Sequence, residues 1–179
     1  MAQYTGVLCH ITSLPNGLSD AEKFIDYIID YGASVWQMLP ITPPDEHGSP
    51  YASPSAFAAW SNLGKSKSED MSDESYWLKD WLQFEALKKM FDGKPWYEWP
   101  EEFRDRHPSA LESLVTDSTS QAQFMGRWKE VREYAKSKSV SLIGDLPIFV
   151  SHDSADVWAH RELFMLSLIH ISEPTRPER

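Results

Sequence analysis

The first forty residues constrain the fold most. Gly6-Val-Leu-Cys-His-Ile11 is a short apolar run closed by Thr12-Ser-Leu-Pro15, the pattern of a buried strand that ends in a polar loop. Ser19-Asp-Ala-Glu22 has the spacing of a capping box, and Phe24, Ile25, Ile28 and Ile29 recur at helical spacing until Gly32 stops the run. Ser34-Val-Trp-Gln-Met-Leu-Pro40 is a second buried strand. Strand, helix and strand in so short a span form a βαβ unit. Its two strands run parallel, which implies an α/β fold.

From Asn62 to about Asp73 the chain turns to Ser, Lys, Asp and Glu, a solvent-exposed connection. Trp77, Leu78, Trp81, Leu82, Phe84, Leu87, Met90 and Phe91 then predict an amphipathic helix ending at Gly93. Pro95-Trp-Tyr-Glu-Trp-Pro100 interrupts helical structure twice. A further helix is expected over about 120–136, with Phe124, Trp128, Val131 and Tyr134 on its inner face. Val140 to Val150 resumes a strand pattern, followed by a loop at Ser151-His-Asp-Ser154 and a helix-like stretch from Ala155 to Phe164. The order is therefore βαβ, helical excursion, β.

The formal charge of −10, from 27 acidic and 17 basic residues, excludes a positive field that would gather phosphates, so no nucleic-acid partner is expected. One cysteine, Cys9, excludes an internal disulfide framework and a Cys-rich metal site. No apolar run approaches the about 20 residues a bilayer requires, and the start lacks a signal-peptide pattern, so no membrane contact and a cytoplasmic location are expected. The eight tryptophans stand out, because flat apolar rings stack on sugar faces as well as fill cores.

Leu166-Ser-Leu-Ile-His-Ile-Ser-Glu-Pro-Thr-Arg176 fits nothing before it. Residue by residue it reads as the in-frame translation of a transposase sequencing adapter, so residues 166–179 are expected to be a non-native tail and are set aside from fold reasoning.

Several residues invite a chemical reading. Ser151-His152-Asp153 is no catalytic triad, since three consecutive side chains cannot reach one another in the required geometry. Asp145 lies in an otherwise apolar run, where an unpaired charge costs several kcal/mol, so it meets a partner or faces a polar cavity. Asp153 and Asp156 follow that run in a loop, where α/β folds place ligands, although capping of the next helix is the competing role. Tyr51 sits in Gly48-Ser-Pro-Tyr-Ala-Ser-Pro-Ser-Ala-Phe57, a loop stiffened by two prolines. A ring held there suits stacking on a sugar; packing beneath its own loop is the alternative.

Four blocks carry a family resemblance: Gly6 to Pro15, Trp36-Gln-Met-Leu-Pro40, Ser49 to Ala58, and Gly144-Asp-Leu-Pro-Ile-Phe-Val-Ser-His-Asp-Ser-Ala-Asp-Val-Trp-Ala159. Together they resemble the 4-α-glucanotransferases, or amylomaltases, of glycoside hydrolase family 77. The resemblance implies an α/β fold that is the N-terminal portion, about three strands, of a (β/α)8 TIM barrel of the α-amylase superfamily. It also implies a helical insertion between strands two and three. The expected divisions are 1–61 for the barrel start, 62–139 for the insertion, 140–165 for strand three with its loop and helix, and 166–179 for the tail.

The family chemistry implied is retaining transfer between maltooligosaccharides or other α-1,4-glucans, without a cofactor or metal. An aspartate attacks the anomeric carbon, a glutamate protonates the leaving oxygen and a third carboxylate steadies the transition state. All three are expected after later strands, so no catalytic residue is assigned here and the chain alone is expected to be inactive. By resemblance, Tyr51 stacks on the sugar and Ser49 lines the same pocket. Asp145 belongs to the first conserved superfamily region, and Asp153 and Trp158 to the conserved loop block. The chain departs from the family pattern in two places: the usual Gly-Ile-Gly-Asp-Leu-Gly after the first strand is missing, and Leu63 to Trp77 is short. The competing readings are a degenerate gene product and a non-catalytic glucan-binding module built on Trp77, Trp81, Trp96, Trp99 and Tyr51. The module would need at least two of those rings exposed and coplanar.

Overall fold

The computed structural model describes residues 4–67, 69–70, 76–166 and 172–174. In chain order its regular elements are β1 (Gly6–Leu8), α1 (Ala21–Asp30), β2 (Val35–Gln37), α2 (Leu78–Met90), α3 (Glu101–Arg104), α4 (Pro108–Glu112), α5 (Thr119–Ser137), β3 (Ser141–Ile143), α6 (Ala155–Ala159), β4 (Phe164–Leu166) and β5 (Ser172–Pro174). They divide into two compact units. One comprises Met1–Ile41, Ala59–Asp73 and Thr119–Leu146; the other comprises Thr42–Ala58, Glu74–Ser118 and Pro147–Arg179.

The first unit holds a parallel three-stranded sheet in the order β1-β2-β3, with Val7 opposite Trp36 and Trp36 opposite Leu142. The apolar faces of α1 and α5 close over it. Ile25, Ile28, Trp36, Met38, Phe124 and Val131 are almost fully buried in one core, and burying each such side chain stabilises by about 1.5–3 kcal/mol. Trp36 satisfies its indole by donating to the Cys9 carbonyl at 2.7 Å. Arg127 of α5 donates to Glu22 of α1, and the Tyr134 hydroxyl donates to Asp26 at 2.8 Å, which fixes one helix on the other.

Two local expectations change in this unit. The Ser19–Glu22 capping box does not form: Gly17–Asp20 is a 3-10 turn and Asp20 is the N-cap of α1. The Asp20 carboxylate accepts instead from the backbone and side-chain nitrogens of Asn16. Gly17 is required at the start of that turn. Its φ is +56°, and a Cβ there would lie 2.4 Å from the Leu63 carbonyl oxygen.

The second unit is built on aromatic rings. Trp81, Phe84 and Leu87 from α2, Trp96 and Trp99 from the turn before α3, and Val157 and Trp158 from α6 form its core. Three of the four buried indoles donate to carbonyls, Trp96 to His152 at 2.7 Å, Trp99 to Lys94 at 2.9 Å and Trp158 to Phe103 at 3.1 Å, while the Trp81 indole nitrogen is buried without a partner among the described residues. The helix expected from Ala155 to Phe164 stops at Ala159, and a 3-10 turn over Arg161–Leu163 leads into β4, which pairs antiparallel with β5. Much of the suspected tail lies outside the described residues.

Among the described residues, no helix is long and apolar enough to cross a membrane. No group of three or more His, Cys, Asp or Glu side chains among them is arranged to hold a metal ion.

Candidate functional site

The site residues fall in the loops that follow β2 and β3. Pro50 starts a 3-10 turn over Pro50–Ala52, with Ser49 as its cap: the Ser49 hydroxyl accepts from the Tyr51 N–H at 3.3 Å. Asp45 holds the approach, its Oδ1 accepting from the Ser49 N–H at 2.7 Å and the His47 N–H at 3.0 Å. Thr42 donates to the Pro50 carbonyl. Tyr51 is thereby held with 43% of its surface exposed. Two residues later the loop turns inward, where Ser53 and Ser55 are buried and bond to the loop's own backbone.

The second loop is tied to the first by backbone bonds. Ser151 N–H donates to the Ser53 carbonyl at 3.3 Å, and Ala155 N–H to the Pro54 carbonyl at 2.8 Å. The Ala56 N–H donates to Asp156 at 3.0 Å. Burial pushes the Asp156 carboxyl above the ordinary carboxylate value, partly offset by the N–H groups and the Ser55 hydroxyl around it. Ser154 caps α6 by accepting from the Val157 N–H at 3.2 Å.

Asp153 and Trp158 sit behind this surface. Asp153 accepts from the Lys88 ammonium at 2.5 Å and from the Trp96 N–H at 3.1 Å, so it joins α2, the 95–99 turn and the second loop. Trp158 has no exposed surface, and the Arg106 guanidinium lies 4.3 Å from the centre of its ring. Trp158 therefore presents no surface to solvent, whereas the Asp153 side chain keeps 27% of its surface exposed.

Asp145 differs from its expected setting. The strand ends at Ile143, so Asp145 lies past it and is exposed rather than inside an apolar strand. Its carboxylate accepts from the Leu146 N–H at 2.8 Å. The apolar letters run on past Gly144, but Leu146, Ile148 and Phe149 are themselves exposed here. Asp145 belongs to the first unit, whereas Ser49, Tyr51, Asp153 and Trp158 belong to the second.

Three rings of the expected tryptophan platform, Trp81, Trp96 and Trp99, are at most 7% exposed, because α2 and the 95–99 turn direct them into the second core; Trp77 is half-buried and Tyr51 exposed. Among the exposed aromatics that sequence reasoning did not single out is Tyr97. Its ring stacks on the His152 imidazole, with centres 4.9 Å apart and planes 30° apart, and the Trp96 ring lies 5.4 Å from the same imidazole. Burial first, then the negative charges of Asp153 and Glu98, raise the Tyr97 hydroxyl pKa.

A parallel three-stranded sheet backed by helices defines an α/β protein. Amylomaltase from Streptococcus agalactiae, solved in complex with acarbose, has this fold: the TM-score is 0.71 at 25% identity, over 93% of this chain and 48% of that one. The 4-alpha-glucanotransferase family model of glycoside hydrolase family 77 matches residues 9–64 and 65–169, and the chain belongs to that family. The chloroplastic/amyloplastic 4-alpha-glucanotransferase of Arabidopsis thaliana is 33% identical over 231 aligned residues, covering 90% of this chain and 40% of that protein. The 4-alpha-glucanotransferases of Aquifex aeolicus and Thermus thermophilus are 30% and 29% identical, covering 90% and 96% of this chain and 46% and 47% of theirs.

The chain therefore spans less than half the length of these relatives. The Arabidopsis alignment is longer than the whole chain of 179 residues, so parts of that relative face gaps here. The family match breaks between 64 and 65, beside the segment that departs from the family pattern.

Proposed function

We propose that this chain supplies part of the donor-sugar wall of a 4-α-glucanotransferase acting on maltooligosaccharides. The observation that carries the reading is the pre-set Tyr51 ring. The Tyr51 backbone N–H is capped by Ser49, the loop leading to it is held by Asp45, and the residue is 43% exposed after a parallel strand. A ring fixed before binding loses little entropy when a glucosyl face stacks on it. Ser49 lines the same pocket. Asp153 and Trp158 act as positioning residues, the first through Lys88 and Trp96, the second by filling the core beneath α6. Asp145, exposed past β3, stands where a barrel would turn its strand end toward substrate.

In the whole enzyme the reaction is retaining double displacement: an aspartate takes the glycosyl group and passes it to another sugar hydroxyl. The three carboxylates belong to later barrel strands in this reading. The 179-residue chain thus binds glucan without transferring it, and works without a cofactor. Residues 62–139 are the helical insertion between strands two and three, and the barrel's remaining strands would cover Leu8 and Leu146, which are 62% and 73% exposed. A cytoplasmic location goes with the reading.

Titrating maltoheptaose against the purified chain tests it. Saturable binding that weakens about fivefold in Tyr51→Ala is expected, and an unchanged affinity in that variant would overturn the assignment. Incubation with maltotriose should yield no glucose and no longer oligosaccharides. Their appearance would sink the division of labour between this chain and later strands.

A further inference from the structure

Three loops of the second unit are fastened to one another, and the Tyr51 ring is mounted on only one of them. The 50–56 loop bonds to the 151–156 loop through Ser151 to Ser53, Ala155 to Pro54 and Ala56 to Asp156. The 151–156 loop bonds in turn to the 95–99 turn, through Trp96 Nε1 to the His152 carbonyl and Trp96 N–H to the Asp153 carboxylate. Lys88 completes the frame, donating at 2.8 Å and 3.2 Å to the carbonyls of Gly93 and Lys94 as well as to Asp153. Side chains set on this frame are pre-organised relative to one another.

Tyr97 and His152 are set on it. The Tyr97 ring is backed by the imidazole at 4.9 Å and flanked by the Trp96 edge at 5.7 Å, yet it keeps 37% of its surface exposed. The core does not need that ring, since Trp96, next in the chain, is already 4% exposed and closes the turn. A flat ring that is rigidly supported and left partly open has the attributes of a sugar-stacking surface.

We propose that Tyr97, supported by His152, forms a second stacking subsite for a glucosyl unit of the α-1,4-glucan whose other unit stacks on Tyr51. The proposal rests on the reading of the Tyr51 loop as a glucan wall and extends it to a second aromatic contact. Tyr97 supplies the stacking face. His152 fixes its plane, and Trp96 with Asp153 fixes His152.

The test is calorimetric titration of maltoheptaose into the full 179-residue chain and into Tyr97→Ala, Tyr97→Leu and Tyr51→Ala. Hydrogen exchange of the Trp96 indole N–H, which is bonded to the His152 carbonyl, is followed by NMR as a reporter of the frame. Tyr97→Leu keeps apolar bulk against His152 but removes the flat face. We expect both Tyr97 variants to bind about fivefold more weakly, with the Trp96 indole N–H of Tyr97→Leu protected from exchange as in the wild type. Wild-type affinity in Tyr97→Leu, with Tyr51→Ala weakened, would overturn the second subsite and leave the first reading standing. Weakened binding that comes with lost protection of the Trp96 indole N–H would also overturn it, because Tyr97 would then be structural. Absence of saturable binding by the wild-type chain would overturn both.

Discussion

The two units differ in what fills them. The first is mainly aliphatic, with Ile25, Ile28, Leu18, Met38 and Val131 packed between a parallel sheet and two helices. The second packs four tryptophans from α2, the 95–99 turn and α6, and its loops are fixed by capping bonds and the Lys88–Asp153 pair. An aliphatic core needs only the right period and volume. An aromatic core also carries indole N–H groups, and three of the four here donate to the carbonyls of His152, Lys94 and Phe103, which ties the rings to the loop after β3, the turn before α3 and α3 itself. Packing in the second unit therefore fixes the loops that carry Tyr51, Asp153 and Tyr97, so stability and site geometry are coupled there.

The largest expected effect that would break this contrast is at Trp158. Trp158→Ala should cost about 3–5 kcal/mol and abolish most near-UV circular dichroism, along with maltoheptaose binding. Retained binding would show that the aromatic core does not hold the loops. Next comes Gly17→Ala in the first unit, where a left-handed φ and the Leu63 carbonyl both oppose a Cβ. We expect a loss of about 2–3 kcal/mol in urea denaturation; a loss below about 0.5 kcal/mol would mean that the turn re-forms freely.

The smallest effect concerns pH. Burial raises the folded-state pKa of Asp156 above its ordinary 3.8, so its contribution to stability is fully present below about that pH and lost as pH rises through the raised value. Asp156→Asn keeps an acceptor for the Ala56 N–H without the charge. Its melting temperature relative to wild type should therefore climb between acid and neutral pH. A constant difference across that range would contradict the assignment.

The parallel strands of the first unit were legible as apolar runs and its two long helices as helical spacing, although the expected burial of the strands holds mainly for Trp36: Leu8 of β1 and Ile143 of β3 are 62% and 47% exposed. Ile25, Ile28, Phe124 and Val131 sit where spacing puts them. Periodicity failed where an apolar run outlasted its strand: Leu146, Ile148 and Phe149 look like β3 but lie beyond its end, and Asp145 went with them. The Ser19–Glu22 signature was overridden by a neighbour, Asn16, that took the Asp20 carboxylate into a different turn. Tyr51 could be singled out because prolines declare a stiff loop locally. Tyr97 could not, since its support comes from His152 in a distant part of the chain and no local pattern records that contact.

The most direct measurement is a crystal structure of the chain grown with maltoheptaose. A glucosyl ring lying flat over Tyr51, with the Ser49, Asp153 and Trp158 contacts unchanged, is the predicted result. A Tyr51 face bare of sugar at saturating ligand, or one turned away beneath its own loop, would contradict the account.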